Sequence, residues 1–180
     1  MKNLLKKVLI IMLSLVLISP TIKPRAELQG GKWTTTIKIY CDSSVTPDMK
    51  SSISTAINSW NSRLKSIGSN ISIRDLYSSQ KSEANVIVTV KNYTGAVALT
   101  TNYPSKTSSI YTGAKIEYNQ NLFESLTTTS ERVNSASHEL GHVLGLDHTT
   151  TSSASVMKYY IQSDTPLPTA FDLAELDKIY

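Results

Sequence analysis

The sequence predicts an α+β domain in which three helices pack on one mixed, twisted sheet. The 180 residues are the length of a single domain. The order of patterns is strand, helix, several strands, helix, loop, helix. No internal repeat, second domain or low-complexity linker interrupts it.

Residues 33–41 alternate, with Ile37, Ile39 and Cys41 against Lys38 and Tyr40, which reads as a half-buried strand. Thr46 and Pro47 then open a helix, threonine as N-cap and proline at the first helical position. Met49, Ile53, Ala56, Ile57, Trp60 and Leu64 follow at helical spacing and form a core-facing stripe. Ile71 and Ile73 mark a second strand. Residues 86–90 are a β-branched run that suits a central strand, and residues 95–100 read as another. Ile116 and Tyr118 lie on the last strand.

Thr128 and Glu131 form a capping box. Val133, Ala136, Leu140, Val143 and Leu144 recur behind it at helical spacing, so a helix is expected from Thr129 to Leu144. Residues 149–155 are a run of Thr, Ser and Ala that reads as a loop.

The N-terminus reads as a targeting segment. Lys2, Lys6 and Lys7 precede an apolar run over residues 8–18, long enough for a signal peptide and short for a membrane span. Residues 1–26 are therefore expected to be a leader and 27–180 the working domain. Ala26 fits the last leader position, although Pro24 is unfavourable there and a cut near residues 19–21 is the alternative. An uncleaved anchor is the competing reading. The leader holds five basic and no acidic side chains, leaving thirteen basic against fourteen acidic residues, about −1. The basic character belongs to the leader, so no nucleic-acid partner is expected. Together with the leader, the Ser/Thr-rich and nearly Cys-free composition points to an exported bacterial protein.

All three histidines fall in one stretch, His138-Glu139-Leu140-Gly141-His142-Val143-Leu144-Gly145-Leu146-Asp147-His148. Positions i and i+4 share a helix face, so His138 and His142 can present two imidazoles to one metal ion. Gly145 lets the chain leave the helix through a conformation that a side chain resists, which can return His148 as a third ligand. Three protein ligands with an open fourth position describe a catalytic zinc site, because structural zinc is usually closed by four. Glu139 flanks the same face, within reach of a water at that position. Asp147 either orients the site or caps the turn with its side chain, the latter being favoured.

This H-E-x-x-H-x-x-G-x-x-H stretch resembles the metzincin superfamily of zinc peptidases, and the likeness extends over residues 33–180. It implies a zincin-like fold and one catalytic zinc held by His138, His142 and His148, with Glu139 as general base. It also implies a Met-turn, met here by Ser155-Val156-Met157-Lys158-Tyr159, with Met157 as an apolar floor. The string over residues 137–148 and the segment 169–180, which resembles a C-terminal helix, look like the matrixin branch. The S-x-M-x-Y form instead resembles astacins and serralysins, in which the tyrosine stabilises the reaction intermediate. That role falls to Tyr159, with Tyr160 as the alternative.

The resemblance therefore implies a secreted zinc endopeptidase acting on proteins or peptides, monomeric and off the membrane once the leader is removed. Its substrate would pair with the 95–100 strand as an added edge. Residues 156–165 would wall the pocket past the cut bond, and Tyr159, Tyr160, Ile161 and Gln162 suit an apolar or medium-sized side chain there. The alternative is a catalytically silent module that binds a protein partner through the cleft. Matrixins also bind calcium and a second zinc. No histidine is left for a second zinc, and Glu117 is the sole acid in residues 91–118, so a strong calcium site there is not expected. Cys41 reads as a buried small hydrophobe. A zinc-ligating thiolate that keeps the enzyme latent is the alternative, but the matrixin pro-domain motif that does this is absent.

Overall fold

The computed structural model describes residues 29–93, 95–104, 110–151 and 153–180. The leader read over residues 1–26 lies outside them. Five strands form one sheet: β1 (Ile37–Cys41), β2 (Ile73–Asp75), β3 (Val86–Val90), β4 (Ala98–Tyr103) and β5 (Gly113–Tyr118). Their spatial order is β2-β1-β3-β5-β4. The first four are parallel, whereas β4 runs antiparallel to β5 at the edge, with Thr100 opposite Ile116. Parallel strands need long crossovers, and the long helix α1 (Pro47–Ser66) supplies the first.

α1 begins where its cap signals place it. The Thr46 side chain accepts the Met49 N–H, and Pro47 occupies the first turn, where a missing N–H costs nothing. Arg63 and Lys65 lie in the last turn, favourable to the helix dipole. Every residue of the expected stripe, from Met49 to Leu64, is buried. A side chain of this size contributes roughly 1.5–3 kcal/mol when fully buried, so the stripe is the main reason α1 docks where it does.

The helix carrying the histidines, α3 (Thr129–Val143), packs across α1 and against β4. Its capping box forms as expected: Thr128 accepts from the Glu131 N–H, and the Glu131 carboxylate accepts from the Thr128 N–H. Val133, Ala136, Leu140, Val143 and Leu144 are all buried. The third expected helix is α4 (Ala170–Leu176), capped by Thr169. A short fourth, α2 (Gln120–Glu124), starts at Asn119, and a 3₁₀ turn spans Ser78–Glu83.

Three strand boundaries differ from expectation. The edge strand starts at Ala98, because Gly95 has φ +106° and residues 95–97 lie outside the ladder apart from the Val97 carbonyl, which accepts the Asn119 N–H at 2.9 Å; it then runs on to Tyr103, opposite Gly113. β1 starts at Ile37, because Trp33 is drawn into the core by a bond from its indole to the Val143 carbonyl (2.7 Å). Ile71 is buried but unpaired, and β2 starts at Ile73, whose N–H goes to the Asn61 side chain (2.7 Å).

Candidate metal centre

The three histidine side chains converge. His138 Nε2 lies 3.1 Å from His148 Nε2 and 3.1 Å from His142 Nε2. The outer nitrogens face acceptors: His138 Nδ1 lies 2.7 Å from the Val156 carbonyl and His142 Nδ1 lies 2.8 Å from that of Leu146. For the third imidazole, Asp147 Oδ1 stands 3.8 Å from His148 Nδ1 and accepts the His148 N–H at 2.8 Å. A carbonyl can only accept, so Nδ1 of His138 donates; at His142 the Leu146 carbonyl, at 2.8 Å, is nearer to Nδ1 than the Gln29 amide nitrogen, at 3.1 Å, which favours the same tautomer with the Nε2 lone pairs inward.

Lone pairs facing one another at this distance repel unless a cation lies between them. Zn–N bonds of about 2.0–2.1 Å at tetrahedral angles set ligand nitrogens roughly 3.3 Å apart. The donor set therefore fits one zinc ion, and it is the metal-ligating group found among the described residues. Burial lowers the His138 pKa and takes that of His142 down to about 3, helped by the neighbouring His138, which favours the neutral form that ligation requires.

Each ligand has a structural reason for its place. His138 and His142 ride the same face of α3. Gly145 has φ +99°, and a Cβ there would meet the Gly31 carbonyl oxygen at 2.5 Å, so the turn that returns His148 needs glycine twice over. The Val156 carbonyl that receives His138 belongs to a tight turn at Val156-Met157. Met157 is 1% exposed and packs on Gly141, the residue before His142. Asp172 of α4 holds this turn, accepting from Ser155 Oγ, the Val156 N–H and Thr169.

Glu139 follows the first ligand, and its side chain is buried within the wall of an open cleft of about 550 Å³. Burial raises its pKa to about 7, against the pull of a hydrogen bond from Thr100. Tyr159 is 71% exposed and stacks on His148, with ring centroids 4.2 Å apart and planes at 27°. Tyr160 is exposed beside it, under the Lys158 ammonium.

Two expectations need correction. Of residues 156–165, only Lys158, Tyr159 and Ile161 line the cleft. Gln162 and Thr165 turn inward, Gln162 Nε2 donating to the Ser155 carbonyl and the Thr165 carbonyl accepting from Asn134. Cys41 is only half buried at the end of β1, apart from the histidine cluster. Burial and the nearby Asp75 carboxylate still push its thiol up to about 12.

Several residues of the site were not singled out in the sequence. Thr100 Oγ1 donates to Glu139 Oε2 at 2.6 Å. Asn102 Nδ2 donates to the His142 carbonyl at 2.7 Å and to Gln29 Oε1 at 3.0 Å. Asp172 and Gly141 complete the set. Two of them left a sequence signal: Gly141 as a glycine in a helix interior, unfavourable unless something packs closely, and Asp172 as the fourth residue of a T-x-x-D capping pattern begun by Thr169.

The family model for metallopeptidase family M12 (Reprolysin_5) matches residues 18–170. No curated protein matches. Among solved structures, High choriolytic enzyme 1, a hatching enzyme zinc-protease from the medaka Oryzias latipes, is similar at 14% identity and TM-score 0.40, over 69% of this chain and 55% of that one. Metalloproteinase-II from Bacteroides fragilis is similar at 12% identity and TM-score 0.45, over 89% of this chain and 59% of that one. The chain thus spans under two thirds of either relative's length.

Proposed function

Because this chain belongs to metallopeptidase family M12, we propose that it is a secreted zinc endopeptidase with His138, His142 and His148 as ligands and Glu139 as general base. The observation that carries this reading is the inward convergence of three Nε2 atoms, 3.1 Å apart in two pairs, beside a buried carboxylate that lines the cleft. Zinc held there would supply Lewis acidity, making a water acidic near neutral pH and polarising the scissile carbonyl. Glu139 takes the proton of the attacking water and returns it to the leaving amine. Tyr159, stacked on His148 at the cleft wall, donates to the developing oxyanion.

The substrate is a polypeptide that adds as a strand beside β4, which lies at the sheet edge and lines the cleft through Ala98, Leu99 and Thr100. Ile161 beside the cleft favours an apolar or medium-sized side chain past the cut bond. We read Ser155–Tyr159 as a Met-turn of astacin and serralysin type, joined to a matrixin-like ligand helix. Residues 27–180 form the mature catalytic domain, acting as a monomer without nucleic acid or membrane. No described helix is long and apolar enough to cross a membrane.

The test is a mixed-sequence peptide library incubated with the purified protein, with and without a zinc chelator, and read by mass spectrometry. Chelator-sensitive cuts are expected, lost by at least about a thousandfold in Glu139→Ala while one zinc per chain is retained. Absence of cleavage by a fully zinc-loaded wild type would overturn the endopeptidase reading and favour the silent binding module.

A further inference from the structure

The pleat of β4 sends alternate side chains to opposite faces. Leu99 and Tyr103 are exposed, whereas Ala98 and Asn102 are buried. The inward face meets α3 at two polar points. Thr100 Oγ1 reaches Glu139 Oε2 at 2.6 Å, and Asn102 Nδ2 reaches the His142 carbonyl at 2.7 Å. The two bonds therefore fix the edge strand in register against the ligand-bearing turn of α3.

We infer that Thr100 is a positioning residue for Glu139: its hydroxyl holds one carboxylate oxygen, Oε2, and so presents Oε1 to the cleft for proton transfer. This rests on the reading of Glu139 as general base. The Thr100 hydroxyl has two candidate acceptors, Glu139 Oε2 at 2.6 Å and the Glu139 carbonyl at 3.3 Å. The carboxylate oxygen, 0.7 Å nearer and well inside hydrogen-bond range, is the main acceptor. Among the described residues, Thr100 supplies the one side-chain hydrogen bond to this carboxylate. A glutamate has three side-chain torsions, and without this tether the carboxylate is free to turn away from the attacking water. General-base catalysis depends on the carboxylate being within hydrogen-bond reach of that proton. The tether sits on the strand proposed to receive the substrate, so substrate docking and base placement share one element.

The test separates hydroxyl from methyl. Thr100→Val keeps the shape and loses the donor, whereas Thr100→Ser keeps the donor and loses the methyl. Zinc content, thermal midpoint, kcat and KM are measured for both with a chromogenic peptide chosen from the library cuts. Thr100→Val should lose about tenfold to a hundredfold in kcat, with KM and zinc content close to wild type. Thr100→Ser should stay within about threefold of wild type, as expected when only the hydroxyl matters. If Thr100→Val does not fold, Thr100→Ala against Thr100→Ser carries the same comparison. Equal kcat in donor and donor-less variants would overturn the inference, as would a serine variant as slow as the valine one. Wild type and Glu139→Ala are run alongside. If wild type cleaves, Glu139→Ala does not and Thr100→Val matches wild type, the positioning role fails and the peptidase reading stands. If wild type shows no chelator-sensitive cleavage, the peptidase reading fails first and takes this inference with it.

Discussion

Replacing Gly141 by alanine sets two effects of opposite sign against each other inside α3. Alanine is the better helix former by about 1 kcal/mol, so an isolated helix would gain. In the folded protein, a Cβ at Gly141 would lie 2.3 Å from Met157 Sδ, 3.2 Å from Met157 Cε and 3.4 Å from Trp60 Cζ2. Met157 is 1% exposed and Trp60 is fully buried, so neither has free volume to move into. Overpacking of a dense core costs about 1–3 kcal/mol, and an overlap this deep belongs at the upper end. The packing term wins, and the net loss is about 2 kcal/mol. For a domain of this size that lowers the melting temperature by roughly 4–8 °C. Moving Met157 also pulls on Val156, whose carbonyl receives His138 Nδ1 at 2.7 Å, so zinc should be held less tightly. The assay is a reversible melt of zinc-loaded wild type, Gly141→Ala, Met157→Ala and the double variant, with zinc affinity from chelator competition. The double variant should lose less than the sum of the singles, because the smaller partner relieves the overlap. A Gly141→Ala protein as stable as wild type, or more so, would show that Met157 and Trp60 give way and that helix propensity dominates.

Asp172→Ala strips the turn of the acceptor for Ser155 Oγ, the Val156 N–H and Thr169. Leaving those buried donors unpaired should cost about 3 kcal/mol in urea unfolding and weaken zinc binding; a variant within about 0.5 kcal/mol of wild type would show that the turn holds itself. Burial pushes the Cys41 thiol up to about 12, so it stays protonated at pH 8. Native protein should then react with a thiol reagent at least about a hundredfold more slowly than protein in urea, and equal rates would contradict the burial. Tyr159→Phe should lower kcat by about tenfold to a hundredfold if the phenol donates to the oxyanion. An unchanged kcat would reduce Tyr159 to a packing partner of His148.

The parts of the fold that were legible are those whose causes lie within a few residues. Thr46-Pro47 and Thr128-Glu131 mark helix starts because a cap acts on N–H groups two or three positions away. The stripe from Met49 to Leu64 and the β-branched run at Val86–Val90 show their buried faces through periodicity alone. Boundaries set by distant partners were not legible. Trp33 leaves the strand pattern because the Val143 carbonyl, 110 positions away, takes its indole N–H. The edge strand runs on past residue 100 because β5 continues to offer partners as far as Gly113.

The site divides along the same line. Residues close together in the chain name the groups of the candidate site: two histidines four apart on a helix, a carboxylate beside the first, a glycine to turn the chain and a third histidine after it. Those relations are short-range, so helix geometry and the freedom of glycine are enough to read them. What aims those groups comes from packing between segments far apart in the chain. Thr100 stands 39 positions before Glu139, Asn102 stands 40 before His142, and Asp172 stands 16 beyond Val156. Such contacts form only once the sheet, α3 and α4 are packed, because their spacing along the chain carries no period. Even the Gly141 signal became intelligible only when Met157 was seen lying where a Cβ would be.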